Sequence, residues 1–301
     1  MKKTIIFLIV MLIFAGCGKM NKDGRAKQEL DWASWYNDDE ASDDGKPGIM
    51  IMSFNVRLAS ASEDTGDKNW SKRRAGCYEM LKTIRPQLMG VQECQPTQKS
   101  DLRNNSDDLY EVWGESRDGS ANGEQMAIYY LKDSVTLLDS KTFWLSQTPA
   151  TCSKYSQAEH YRCATWTKFR HNTSGKEFCY INTHLDLVPE ARAYEMVVMM
   201  EQVASRCGDL PVILSADWNT TEDDAIFDEM YQTFSNARWT AKTGDSYGTF
   251  NGFSNPNSST KIDHIFYRGF SSCSRFTTVR QKWAGYQFIS DHYPVYAKLK
   301  F

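Results

Sequence analysis

Eight stretches of the chain are apolar enough to be strands buried on both faces, and each is bounded by polar residues. They are IMIMSFNV (49–56), LMGVQE (88–93), QMAIYYL (125–131), CATWTKF (163–169), FCYINTHL (178–185), PVILSADWN (211–219), KIDHIFY (261–267) and YPVYAKLKF (293–301). Two segments switch to a helical period. WSKRRAGCYEMLKTIR (70–85) places Ala75, Tyr78, Leu81 and Ile84 on one face, and Pro86 stops it. PEARAYEMVVMMEQVASRC (189–207) opens with Pro189 and Glu190 and ends before Gly208. NSDD (105–108) and NPNSS (255–259) read as turns or loops. Strands outnumber helices and some strands adjoin, as over 125–145, so parallel βαβ alternation alone does not fit. Two sheets covered by helices fit better, with functional residues gathered where strands end.

The first 47 residues follow different rules. Lys2 and Lys3 precede an apolar run, Ile5 to Ala15, and then Gly16-Cys17. That run is about half the roughly 20 residues a membrane span requires, and its flanks read as a secretory signal. FAGC resembles a bacterial lipobox, which implies a signal peptide over 1–16 and an acylated Cys17 that anchors the protein to a lipid bilayer of the cell envelope. Residues 17–47 read as an acidic tether, carrying Glu29, Asp31, Asp38, Asp39, Glu40, Asp43 and Asp44, with Trp32, Trp35 and Tyr36 able to dock. The remainder, 48–301, suits one domain.

Charge narrows the partners. The net charge of −3 becomes −5 once the leader's two lysines are removed. Such a balance lacks the broad basic surface that drives duplex DNA binding, so duplex nucleic acid is not an expected partner. Of eight cysteines, seven remain beside Cys17. Cys152 and Cys163 flank a polar loop and are the candidates for a local disulfide; Cys94 and Cys179 read as buried thiols. No Cys-x-x-Cys occurs to suggest zinc.

The chemistry lies at the strand ends. Asn55, Glu93, Glu124, Arg162, His184, Asp186, Asp217, Asn219, Asp263, Asp291 and His292 each follow or interrupt an apolar run. One such residue is ordinarily a satisfied structural group. Together they suit metal-assisted phosphoryl transfer, because Mg²⁺ takes hard oxygen ligands plus water and phosphate. Asp217 and Asn219 stand two apart on an extended segment and so share a face. Imidazoles can protonate a leaving oxygen or offset charge, and Asp263 can orient His292.

FN, GVQE, NTHLD, ADWN, IDHI and SDHYPV, in this order, resemble the endonuclease/exonuclease/phosphatase superfamily over 48–301. The resemblance implies an α/β fold: a four-layer α/β/β/α sandwich, deoxyribonuclease-like, with its site at one edge of two packed sheets. It implies that Asn55, Glu93 and Asp291 form the metal side and that Glu93 is a direct ligand. It implies that Asp217 and Asn219 position water and phosphate, and that His292, oriented by Asp263, acts on the scissile phosphate. His184 would be a second histidine with Glu124 as its partner, and Arg162 would lie near the phosphate. Ala216 and Trp218 stand where Gly and Phe are more usual, which alters packing and keeps both polar groups. FWLSQTP (143–149) and YGTFNGF (247–253) resemble segments of secreted bacterial members, and Tyr247, Phe250 and Phe253 could border a substrate pocket. His160 and His171 read as surface loop residues, and His264 as the outward neighbour of Asp263.

The expected function is an Mg²⁺-dependent (alternatively Mn²⁺-dependent) phosphoesterase, acting as a monomer in the cell envelope. A phosphodiesterase acting on a sugar-, inositol- or lipid-linked phosphate is expected. The alternatives are a nuclease and, from another class, a non-catalytic surface binding module; fold alone does not decide among them.

Overall fold

The computed structural model describes residues 47–301. The expected leader, Cys17 and the acidic stretch through residue 46, with Trp32, Trp35 and Tyr36, lie outside them. Along the chain come β1 (Gly48–Asn55), α1 (Trp70–Ile84), β2 (Leu88–Cys94), α2 (Pro96–Asn104), β3 (Tyr110–Trp113), β4 (Gln125–Leu131), β5 (Val135–Trp144) and β6 (Cys163–His171). They are followed by β7 (Glu177–His184), α3 (Pro189–Cys207), β8 (Val212–Asp217), β9 (Ser235–Asn236), α4 (Ala237–Thr240), β10 (Ala241–Thr243), β11 (Asp263–Arg268), β12 (Ser272–Thr278) and β13 (Val295–Lys300). Among the described residues no helix is long and apolar enough to cross a membrane.

Two mixed sheets pack face to face. One has the order β10-β12-β13-β1-β2-β4-β3 and the other β5-β6-β7-β8-β11-β9. Ile49, Ile51, Leu88, Val295 and Leu299 from the first meet Phe178, Tyr180, Ile213 and Ile265 from the second in the inter-sheet core. Met52 and Phe54, pointing the other way along β1, are buried too, so the strand reads as a continuous apolar run. Met196, Met199, Val203 and Cys207 of α3 pack with Ile181 and Leu214 of the second sheet. Helices α1 and α2, joined by Trp70 Nε1 donating to Asp101 at 2.8 Å, flank the first sheet. This is the expected four-layer α/β/β/α sandwich.

The buried face of α1 is rotated from the expected one. Ala75 is exposed and Tyr78 half-buried, while Arg73, Gly76, Cys77, Met80, Leu81 and Ile84 are buried. A hydrophobic count cannot find this face because its centre is an arginine. The Arg73 guanidinium donates to the carbonyls of Val56, Arg57, Lys68 and Ile289, at 2.5 to 3.0 Å. Beside it, a Cβ on Gly76 would stand 2.5 Å from Ile289 Cγ2, so only glycine admits the segment that leads into Ser290–His292.

The cysteine expectation is partly revised. Cys152 and Cys163 are both free thiols, the first exposed and the second buried where β6 begins. Cys94 and Cys179 are buried thiols, as read.

A polar seam also crosses the inter-sheet core. Gln92 donates to Asn182 Oδ1 at 2.7 Å, Asn182 donates to the Val91 and Ala127 carbonyls, and Tyr180 and Ser215 hydroxyls pair at 2.8 Å. Gly90 makes room for it: a Cβ there would lie 2.5 Å from Asn182 Oδ1, Ser215 Oγ and Tyr180 Oη. Gly90→Ala is therefore expected to cost about 1–3 kcal/mol by overpacking, read as a lower urea midpoint at unchanged slope. A midpoint equal to wild type would show that the seam can relax around a methyl group.

Candidate active site

Strand direction brings the polar ends together. β1 and β2 are parallel and β13 is antiparallel to β1, so Asn55, Glu93 and the Asp291–His292 approach to β13 share one edge. β7 and β8 are parallel and β11 is antiparallel to β8, which sets His184, Asp217 and Asp263 side by side in register. Face-to-face packing then joins the two groups.

Asp217 is the junction. Its Oδ2 accepts from Asn55 Nδ2 at 2.8 Å and lies 3.4 Å from His184 Nε2 and 3.6 Å from His292 Nε2. Its Oδ1 accepts from the Asn219 backbone N–H at 3.0 Å. Burial pushes this carboxyl up to about 7 despite the nearby His292, and the Asp263 charge pushes the same way. Asn219, at φ +52°, donates through Nδ2 to His184 Nε2 at 3.0 Å and to the Leu185 carbonyl at 2.8 Å.

The two histidines are held in opposite states. Burial, reinforced by Arg162 and Arg117, holds His184 well below its ordinary value, so it is neutral. Nε2 accepts from Asn219, which leaves the proton on Nδ1, an atom without a protein partner. His292 is also buried, yet Asp263 and Asp217 outweigh that cost and raise it well above the ordinary value. Its Nδ1–H donates to Asp263 Oδ2 at 2.9 Å. The Phe250 ring stands edge-on to it, centroids 5.0 Å apart.

On the other side, Glu93 sits at a register shift in β2 with φ +57°, a conformation L residues adopt at a cost. Its Oε1 accepts from Asn55 Nδ2 at 3.0 Å and its Oε2 from the Leu58 N–H at 3.0 Å. Asp291 is nearly buried, and its Oδ2 lies 3.9 Å from Arg57 Nε. Burial raises the Asp291 carboxyl, and the Glu93 charge adds to the rise. Two hard carboxylates held in mutual repulsion suit a divalent cation. Asp217, Asp263 and His292 also bring ligand-type atoms within 4.8 Å of one another. The Asp263 hydrogen bond keeps His292 protonated, however, and an imidazolium cannot ligate a metal, so Glu93 and Asp291 are the better metal side.

Three expectations change. Glu124 does not reach His184 as a partner; its Oε1 pairs with Arg117 Nη2 at 2.6 Å. His264 is not an outward neighbour: it is buried, with Nε2 3.1 Å from the Thr220 carbonyl oxygen, because the Thr220–Glu222 loop folds over that face of β11. His171 is buried against Phe301 rather than exposed, while His160 is half-exposed. Arg162 is buried with Nε 3.5 Å from Asp186 Oδ2. Asp186 in turn accepts the backbone N–H groups of Glu159, His160 and Val188.

Two supports escaped the sequence reading. Ser290 Oγ donates to the Asn55 carbonyl at 2.7 Å, tying the β13 approach to β1. Arg117 brings a second guanidinium. The YGTFNGF loop is built into the site: Thr249 Oγ1 accepts from the Ile262 and Asp263 N–H groups, and Asn251 N–H donates to the Asp291 carbonyl.

A metal-suited carboxylate pair, a buried acid of raised pKa and a charged imidazole at the edge of two packed sheets define a metal-dependent phosphoester hydrolase. The model of the Endonuclease/Exonuclease/phosphatase family matches residues 52–292, and the chain belongs to that family. Members of this family typically depend on a divalent metal. Among solved structures, the chain is similar to a family protein from Bacteroides thetaiotaomicron, with 28% identity, a TM-score of 0.79, and 85% of this chain and 98% of that one covered. It is also similar to a mannosyl-6-phosphatase from Bacteroides thetaiotaomicron (29% identity, TM-score 0.76, 84% and 100% covered). A family protein from Bacteroides vulgatus is similar at 28% identity and TM-score 0.78, with 85% and 100% covered. A comparison with curated proteins finds no match.

His264 supplies a stability test. Burial lowers it to about 4, against 6.5 ordinarily. The unfolded chain takes up the proton first, so this group withdraws up to about 3 kcal/mol of stability as pH falls from 6.5 to 4. His264→Gln is expected to lose less Tm than wild type between pH 7 and 4.5; parallel losses would contradict a buried neutral imidazole.

Proposed function

We propose that the chain is an Mg²⁺-dependent phosphoesterase of the cell envelope that cleaves a carbohydrate-, inositol- or lipid-linked phosphate by in-line attack of water. The observation that carries this is Asp217, held between the Asn55–Glu93 pair and two imidazoles in opposite charge states. The similar mannosyl-6-phosphatase supports a phosphorylated sugar, and the acidic balance disfavours duplex DNA and so the nuclease alternative. The intact set of acids, amides and histidines disfavours a binding module. The envelope location and a monomer tethered through Cys17 rest on the leader and the acidic segment.

Glu93 and Asp291 would hold the Mg²⁺ (Mn²⁺ being the alternative), which when bound would neutralise charge on the phosphoryl oxygens. Asn55 clasps Glu93 and Asp217 through one amide nitrogen and so fixes their spacing. Asp217 takes the proton of the attacking water, for which a pKa near 7 is matched. Asn219 and the Nδ1–H of neutral His184 orient water and phosphate. The His292 imidazolium, fixed by Asp263, offsets negative charge at the phosphoryl group as the bond to the leaving oxygen breaks.

Hydrolysis of p-nitrophenyl phosphate or its bis-ester is expected, abolished by EDTA and restored by Mg²⁺. Asp217→Asn and His292→Ala are each expected to lower kcat by about 10²–10⁴-fold. Asp217→Asn keeps the side-chain volume but offers one acceptor oxygen where Asn55 and Asn219 each donate, so Tm is measured beside kcat to separate loss of folding from loss of catalysis. Failure of the folded, Mg²⁺-loaded protein to turn over either ester, or full activity in both variants, would refute the assignment. The sign of the pH dependence follows from Asp217: as pH drops below about 7 the raised carboxyl takes up its proton, and kcat/KM should fall with it. A kcat/KM that is flat from pH 5 to 8 would exclude Asp217 as the base.

A further inference from the structure

We propose that Arg117 is a substrate-binding residue that, with Arg162, receives the non-bridging oxygens of a terminal phosphoryl group, so that the ester cleaved is a phosphomonoester. This rests on the phosphoesterase reading and replaces the diester expected from the sequence.

Arg117 lies in the loop before β4. Its backbone N–H donates to the Glu124 carbonyl at 2.9 Å, and its guanidinium pairs with the Glu124 carboxylate. Glu124 is its one side-chain partner among the described residues, and both side chains keep a small exposed area, 14% and 13%. The pairing has a consequence for His184. With its expected carboxylate engaged elsewhere, His184 Nδ1 is left buried without a protein partner. Arg162, only 3% exposed, likewise has its Nη1 buried without a partner. Buried donors without acceptors are costly, and an anion rich in oxygen would satisfy both.

The nearby charges agree. The Arg117 carbonyl accepts from Trp144 Nε1 at 2.7 Å, Trp144 pairs with Cys163 next to Arg162, and β6 there runs beside the end of β7 that carries His184, so both guanidinium groups lie close enough to help hold His184 neutral. Asp186 is fully buried and occupied by three backbone donors, so it offsets Arg162 from behind. A phosphomonoester carries between one and two negative charges near neutrality, its second ionisation lying near pH 6. It offers a third non-bridging oxygen to these donors. In a diester an alkoxy group would take that place, leaving buried donors unpaired, and sites built to hydrogen-bond discriminate strongly on that ground.

The test compares kcat/KM for p-nitrophenyl phosphate and bis-p-nitrophenyl phosphate in the Mg²⁺-loaded wild type, Arg117→Ala and Arg117→Lys. Wild type is expected to favour the monoester. Arg117→Ala should lower the monoester-to-diester ratio by about 10- to 100-fold, the range for losing a charged hydrogen bond, with Arg117→Lys between. Competitive inhibition by inorganic phosphate should weaken in the same order. A wild-type preference for the diester, or equal losses on both esters, would overturn the proposal. If wild type turned over neither ester, the phosphoesterase reading would fail separately. Calorimetric binding of inorganic phosphate would then decide Arg117, and equal affinity in wild type and Arg117→Ala would refute it.

Discussion

The site depends on one contact across the sandwich, the Asn55 amide donating to Asp217 at 2.8 Å. Asn55 ends β1 in one sheet and Asp217 ends β8 in the other. A single nitrogen that also donates to Glu93 fixes the spacing between the metal-side acid and the proton-accepting acid. Asp217 Oδ2 also lies 3.6 Å from His292 Nε2 on the approach to β13, a second contact across the sandwich that supports the first. The polar seam of Gln92, Asn182, Tyr180 and Ser215 lies behind this contact, so the sheets are registered by hydrogen bonds as well as by apolar packing. Such bonds are directional and specify one sheet-to-sheet arrangement, which a purely apolar interface does less well.

Burial then sorts the protonation states. His184 and His292 stand on either side of Asp217 in equally dry surroundings. Only His292 has a carboxylate hydrogen-bonded to its far nitrogen, and this makes it cationic. His184 faces guanidinium groups and an amide instead, and it stays neutral. One residue type therefore serves as a fixed charge and as a neutral donor a few ångströms apart.

Much of the framework was legible in sequence because its strands are buried on both faces. β4 and α3 run as read, 125–131 and 189–207. Elements with little apolar content were not legible. α2 (PTQKSDLRN) buries only Gln98 and Leu102, β3 has four residues, and β12 (SCSRFTT) reads as a polar run. The face of α1 was missed because Arg73 is buried for its hydrogen bonds to four carbonyls, a property no hydrophobic pattern carries.

The site divides along the same line. Residue types and order along the chain determined which side chains gather: acids, amides and histidines placed at strand ends must meet once parallel and antiparallel neighbours align. The sequence by itself therefore specified the family, the sandwich and the membership of the polar cluster. Only the tertiary structure decided the pairings within it. Glu124 belongs to Arg117 rather than His184, Asp186 holds Arg162, and His264 turns inward under Thr220. Those choices depend on loops whose paths are set by side-chain hydrogen bonds between residues far apart in the chain, and one-dimensional spacing carries no information about such distances.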